Sequence, residues 1–350
     1  MGGDIRILFL ADSHIGLDLP VCPRVERRRR GHDFLANYHA ALQPAMRDEV
    51  DVVVHGGDVF DRSRPVPSVA YQALEPLRSV AERGVPVFIV PGNHERSRIP
   101  HLRFAAHPQI RVFDRPRTFT IEIRGHRIAF AGFPYERDDV RTRFPALLNE
   151  TCWNAHAASS RVLCMHHCVE GATVGPANFT FTTAADVVRS SDIPSAFCAV
   201  LSGHIHRHQV LTRDLAGRAL STPVLYPGSI ERTSLAEIGE PKGFMVVTLR
   251  DNEPSWEFRR LPARPMIRRA LDAESMDPDS LDAALRDIIA GAPRDAVLAI
   301  RVDGSLTPEQ LRLMSSGRMR ALAPKTMNVE VNAWPRRTSS ATVAPRHSTS

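Results

Sequence analysis

At 350 residues the chain has room for one large domain of roughly 250 residues and a small one, because single cores seldom grow past that size. Its 43% hydrophobic and 24% charged residues are the balance of a soluble globular protein, and the N-terminus lacks the apolar segment of a signal peptide or membrane helix, so no membrane association is expected. The +6 formal charge and pI near 9.4 favour anionic partners such as nucleic acid, while five cysteines without a CxxC pair argue against a disulfide framework and for a reducing cytoplasm.

Residues 5–11, IRILFLA, form a short apolar run of the kind buried on both faces of a sheet, and Asp12 and His14 follow it. A helix is predicted over 31–49, then a strand over 50–55 that leads into Gly-Gly-Asp58. The next helix, 66–83, starts near Pro67 and stops at Gly84; a strand over 85–90 then delivers Asn93 and His94. Strand, helix, strand implies right-handed parallel crossovers, with ligands gathered beyond the carboxyl ends of the strands. Residues 119–133 read as a hairpin about Arg124-Gly125-His126. Buried strands over 162–165 and 197–201 lead to His166 and to His204 and His206. A second antiparallel group is expected from 209–213, 224–226, 243–249 and 256–260. Together these predict an α/β domain over 1–262, with two sheets face to face and helices outside. The segments after Pro262 predict a small α+β module over 263–334: helices at 279–290 and 307–316, strands at 296–302 and 327–333. It carries no cluster of site residues, which suits a role in shaping substrate access. Residues 335–350, rich in Ser, Thr, Pro and Arg, are expected to be a disordered basic tail.

Asp12, His14, Asp58, Asn93, His94, His166, His204 and His206 thus all stand at the ends of apolar runs. A phosphodiester resists attack because it is anionic and its leaving group is poor; two divalent ions about 3.5–4 Å apart make hydroxide available at neutral pH and neutralise the phosphoryl oxygens. Oxygen and imidazole ligands suit manganese, iron or zinc. Asp12 and His14, in Asp-x-His spacing, are expected on one side of an extended strand end, holding the first metal. Asp58 follows two glycines that let the backbone come close, and its carboxylate can bridge both ions. Asn93 offers a neutral amide oxygen. His94 is expected to point the other way, toward substrate, for acid catalysis worth ~10²–10⁴-fold. His204 and His206 repeat the alternate spacing, one for each metal. An isolated Asp-x-His is usually a cap or turn, but five such motifs in order make chance a poor account.

Other residues have blander readings. His55 is expected as a hydrogen-bonded core or supporting histidine. Between His166 and His167 the pattern leaves open which turns inward. His208 continues the parity of His204 and His206, yet three alternate histidines would overfill a site. Cys164 and Cys168 suit small buried side chains, and residues 27–30, all arginine, are either a solvated helix start or a contact for a phosphate backbone.

The pieces ADSH, GGDVFD, GNHE, MHH and GHIH resemble the calcineurin-like metallophosphoesterases. HIGLD, GGDVFDRSRPVPS and YPGSIERTS followed by EPKGF are similar, more narrowly, to SbcD-type DNA repair exonucleases that work with an SMC-like coiled-coil ATPase of SbcC type. The resemblance implies a four-layer α/β/β/α sandwich with two manganese ions. Asp12, His14, Asp58 and His206 would hold one, and Asp58, Asn93, His166 and His204 the other, with His94 catalytic and His166 chosen over His167. It also implies that the C-terminal module is a capping domain and that the chain forms a homodimer. Glu95 stands where such nucleases commonly have Asp and is expected still to support His94. Asp61 stands where some carry a histidine facing DNA, and no helical segment for docking a coiled coil is evident. The expected activity is hydrolysis of DNA phosphodiesters. The alternatives are a phosphodiesterase or phosphomonoesterase for a small ester or cyclic nucleotide, and a non-catalytic DNA-end-binding subunit, which would lack a ligand; none is missing.

Overall fold

The structure, a computed structural model, describes residues 3–96 and 98–334. They form two compact units. One joins the described residues up to Val25 with Arg29–Ala263; the other joins Glu26–Arg28 with the described residues from Arg264 on.

In the first unit the chain runs β1 (Ile5–Leu10), α1 (Arg30–Met46), β2 (Val52–His55), α2 (Pro67–Glu82), β3 (Val87–Ile89), β4 (Ile110–Val112), β5 (Arg117–Ile123), β6 (His126–Gly132), α3 (Val140–Glu150) and β7 (Ser160–Met165). Four two-residue strands follow: β8 (Cys168–Val169), β9 (Thr173–Val174), β10 (Phe179–Thr180) and β11 (Val187–Val188). Then come β12 (Ala199–Ser202), β13 (Gln209–Arg213), β14 (Ala219–Tyr226), β15 (Gly243–Arg250) and β16 (Glu253–Arg260).

Two six-stranded sheets result, in orders β16-β15-β1-β2-β3-β4 and β13-β14-β12-β7-β6-β5. Alternation along each strand divides the core into layers. Leu8, Leu10, Val53, Val87 and Ile89 face α1 and α2 through Phe34, Tyr38, Leu74 and Leu77. Ile7, Phe9, Val54 and Phe88 face the second sheet through Phe130, Val162, Cys164 and Leu201. The far side of that sheet, with Leu163, Met165, Val200 and Val224, packs against Phe144 and Leu147 of α3. This is the four-layer α/β/β/α sandwich. Strands β1 to β4 are parallel, as the helical crossovers require.

The expected antiparallel group after His206 is instead divided between the sheets. β13 and β14 extend the second, with β14 parallel to β12. β15 lies antiparallel to β1, Leu8 opposite Val246. The physical reason is burial: residues 243–247 are all buried and belong beside a central strand. The α3 region carried no clear period, because Pro145 and scattered arginines interrupt its apolar face.

The second unit holds β17 (Met266–Asp272), α4 (Pro278–Ala290), β18 (Val297–Asp303), α5 (Pro308–Leu313), α6 (Ser316–Leu322) and β19 (Asn328–Trp334), with β17-β18-β19 as one parallel sheet. Its core joins Leu281, Leu285, Ile289, Leu298, Ile300, Val302 and Met319. β17 escaped prediction because Arg268, Arg269 and Ala270 are exposed, so MIRRALD reads as polar. The predicted helix over 307–316 is α5 followed by the separate α6; Thr307 and Gln310 close a capping box at the start of α5. Arg27 is no solvated helix start: it donates to Pro324 O at 2.9 Å and Met327 O at 2.8 Å within this unit, and α1 begins at Arg30. The basic tail expected over 335–350 lies outside the described residues.

Candidate metal centre

β1 ends at Leu10, and the chain then turns sharply. Asp12 and His14 take left-handed backbone angles, φ 50° and 43°, as do Asp58 at 52° and His204 at 80°. Strand alternation is therefore not what converges the site; a set of tight turns is. Left-handed non-glycine residues cost roughly 1 kcal/mol or more each and persist where surrounding contacts over-determine them. Here Asp12 N donates to Gly57 O at 2.9 Å and His14 N to Asp58 O at 3.0 Å, locking the β1 and β2 turns together. Gly57 has φ 106°, and a Cβ there would lie 2.2 Å from His166 Nδ1. Gly57 thus lets the backbone approach the imidazole, and Gly56 lets it approach the Phe9 ring and Gly203 N.

Asp12, Asp58 and His166 are buried together. His166 Nε2 lies 3.4 Å from Asp58 Oδ2, 4.0 Å from Asp12 Oδ1 and 3.1 Å from Asn93 Oδ1. His204 Nδ1 is 2.9 Å from the same Asn93 oxygen, and His204 N donates to both Asp12 oxygens at 3.1 Å. On the other side His206 Nε2 is 3.9 Å from Asp12 Oδ1 and 3.0 Å from His14 Nε2, which is 4.0 Å from Asp58 Oδ2. Three groups have ligand atoms mutually within 4.8 Å: Asp12, His14, His206; His14, Asp58, His94; and Asp12, Asp58, His166. All eight residues picked from the sequence are thus brought to one place.

The donor chemistry fits divalent cations. His166 Nδ1 is 2.7 Å from Gly56 O, an acceptor, so that nitrogen carries a proton and Nε2 is the atom turned toward Asp58, Asp12 and Asn93 Oδ1. His206 Nδ1 meets Glu237 Oε1 and Thr233 Oγ1, both at 3.1 Å, leaving its Nε2 bare toward His14. Acceptors facing acceptors in a buried site call for a cation. The same potential marks the titrating groups. Burial pushes the His166 imidazole down, but Asp58 and then Asp12 outweigh it and push it up to about 9, so these carboxylates draw a proton onto the nitrogen between them, the place a divalent cation would take. Burial pushes Asp58 up, yet His166, His14 and His94 hold it well below the usual carboxylate range.

His94 keeps its side chain 35% exposed, with Nδ1 2.6 Å from Asp61 O. It does not point away from the centre, since Nε2 comes within 3.9 Å of Asp58 Oδ2. Glu95 does not support His94 either. Its buried carboxylate accepts from Asp58 N at 3.0 Å, Phe60 N at 2.8 Å and Gly92 N at 2.8 Å, holding the β2 and β3 turns. Burial and the nearby Asp58 push it up to about 8. His167 turns away, accepting from Glu136 N at 3.0 Å and stacking on Tyr135. His55 lies beneath, its Nε2 2.9 Å from Ser13 Oγ, and burial lowers it to about 3. His208 stacks on Phe258 outside the cluster. All five cysteines are free, and Cys164, Cys168 and Cys198 are buried.

Sequence reasoning missed the supports of this centre. Tyr135 packs 5.7 Å from His204 between ring centroids, and Glu237, Thr233 and the buried Lys242 stand behind His206. YPGSIERTS and EPKGF flagged that stretch without saying what it touches. No helix among the described residues is long and apolar enough to cross a membrane.

Comparison with known proteins agrees with the geometry. The Calcineurin-like phosphoesterase family matches residues 5–208, more than half the chain. Relatives include the DNA double-strand break repair protein Mre11 of Aeropyrum pernix, 25% identical over 285 residues, covering 76% of this chain and 63% of that protein. That of Methanosarcina acetivorans is 24% identical over 305 residues, covering 85% and 45%, and that of Thermoplasma acidophilum 23% over 283, covering 77% and 69%. The chain spans less than two thirds of the length of the first two. With its sandwich fold, its cluster of residues that could hold a divalent metal and this match, the chain belongs to the calcineurin-like phosphoesterase family, hydrolases of phosphate esters.

Proposed function

We propose that the protein is a two-metal nuclease that hydrolyses DNA phosphodiesters in the manner of a repair exonuclease or endonuclease. The observation that carries the metal part is the buried set of carboxylate, amide and imidazole acceptors turned on one another. Asp12, His14, Asp58 and His206 would hold one ion, and Asp58, Asn93, His166 and His204 the other. Manganese is the ion that the resemblance to SbcD-type nucleases favours, with iron or zinc as competitors that the same donors suit. When bound, such ions supply a nucleophile from water at neutral pH and offset phosphoryl charge. The chain's own residues do the rest. His94, its Nδ1 held on Asp61 O and its side chain 35% exposed, turns Nε2 into the site beside Asp58 and passes a proton to the departing oxygen. The turns at Asp12, Asp58 and His204, fixed by backbone bonds, spare the site reorganisation.

DNA is favoured as substrate by the +6 charge and by the Mre11 relatives. On the same reading the unit from Arg264 on is a cap, the protein acts in the cytoplasm, and its partners are a second copy and an SMC-like coiled-coil ATPase. Purified protein with manganese should degrade linear or single-stranded DNA. Cleavage of a generic phosphodiester but of no DNA would replace this reading with a small-ester or cyclic-nucleotide phosphodiesterase. A monomer by sedimentation at micromolar concentration would remove the dimer.

A further inference from the structure

His206 is held from behind by a charged network whose Thr233, Glu237, Glu240 and Lys242 lie beyond the family-matched residues. Glu237 Oε1 is 3.1 Å from His206 Nδ1 and accepts from Thr233 Oγ1 at 2.5 Å, while Thr233 N donates to Oε2 at 3.1 Å. Lys242, its side chain completely buried, pairs with Glu237 Oε2 at 2.7 Å and Glu240 Oε2 at 3.1 Å, and donates to His206 O at 2.8 Å. Arg207 completes the set through Glu240 Oε1 at 2.9 Å. Each buried ion costs several kcal/mol to desolvate, and apolar side chains would serve stability as well, so such a network asks for another reason.

The reason lies in a contrast among the imidazoles. His166 Nδ1 meets the neutral carbonyl of Gly56, and His94 Nδ1 that of Asp61. Among the described residues of the centre, His206 is the imidazole backed by a carboxylate on the side away from the ions. A carboxylate there fixes the tautomer, orients the ring and strengthens Nε2 as a ligand.

We infer that Glu237 is a positioning residue, held in place by Lys242 and Thr233, which tunes the affinity of the Asp12–His14–His206 group for a divalent cation separately from that of its neighbour. The inference rests on the two-ion reading. It is tested on the full chain by titrating manganese(II) chloride calorimetrically, with cobalt(II) absorption spectra as a second readout. E237Q should weaken one of two classes of site 10–100-fold, shift the cobalt bands of that class and leave the other unchanged. Added to H206A, E237Q should cause no further loss; an additional tenfold loss would mark a merely structural role and overturn the inference. Two ions bound with unchanged affinities in E237Q would also overturn it, whereas a wild-type chain that binds no divalent ion would overturn the two-ion reading with it. If E237Q does not fold, T233V, which removes the hydroxyl that touches both Glu237 Oε1 and His206 Nδ1 and holds the carboxylate on the ring, should weaken the same class, and unchanged affinity there overturns the inference.

Discussion

Glu95 lets one carboxylate organise two turns, because Asp58 N, Phe60 N and Gly92 N all end on it. Glu95→Ala would leave three buried donors unpaired, each worth about 1–3 kcal/mol, so urea unfolding should show a loss of at least about 3 kcal/mol. A loss under about 1 kcal/mol would mean that the turns hold themselves. For His94 the expectation is opposite in kind. His94→Ala should keep both ions, by elemental analysis, and lose turnover by ~10²–10⁴-fold; a matching fall in metal content would make it a ligand. Thiol chemistry probes burial independently. Cys22 and Cys152 are exposed, whereas burial pushes Cys198 up to about 11 and Cys168 up to about 12. A disulfide reagent at neutral pH should therefore titrate two thiols in the native protein and five in denaturant, and a third fast native thiol would contradict this packing. At this scale the sequence was most legible where a residue type has few alternative uses. Asp12 and His206 could be picked by eye; Glu237 and Lys242 could not, because a Glu and a Lys in a polar loop look like any solvated pair.

The elements explain why those residues meet. Gly57 and Gly84 both have positive φ, 106° and 86°, but they differ in what a side chain would strike. At Gly57 a Cβ meets the His166 ring; at Gly84, after α2, it meets nothing within 4 Å. Both Gly→Ala changes should cost roughly 1 kcal/mol of backbone strain, yet only Gly57→Ala should also lose ion binding, read by calorimetry with manganese. Equal ion binding in the two variants would show that His166 can swing aside. The pattern Gly-Gly-Asp announced a close approach, while its partner, a histidine from β7 in the other sheet, is a long-range contact that local spacing does not encode. Sheet membership of β13 to β16 failed for the same reason. Their alternation is alike, and burial beside β1 or β12 decides the rest. Helix α1 shows a further long-range link: Asn37 Nδ2 donates to Ile230 O at 2.9 Å and Pro262 O at 3.0 Å, while Arg30 Nη1 donates to Thr233 O at 3.2 Å. The inner face of α1 thus holds the segment that carries Thr233, one contact away from His206.

Across the first unit, the proposed ligand set is drawn from both sheets: Asp12, His14, Asp58 and Asn93 follow strands of one, and His166, His204 and His206 follow strands of the other. Ion binding must then be linked to the folding of both sheets, since ligands separated in the unfolded chain cannot bind together. Manganese at a hundredfold excess over its dissociation constants should add about 2.7 kcal/mol per bound ion to the stability of this unit, and a chelator should remove it. Asp58→Ala should abolish the shift, because its carboxylate belongs to two of the three ligand groups. Hydrogen exchange places the effect in space. Manganese should slow amides after β1, β2, β7 and β12, whereas α4, α5 and α6, whose core of Leu281, Ile300 and Met319 holds no ligand, should exchange at an unchanged rate. Protection confined to one sheet would mean that the two halves of the ligand set do not share their ions, and the bridging role given to Asp58 would fall.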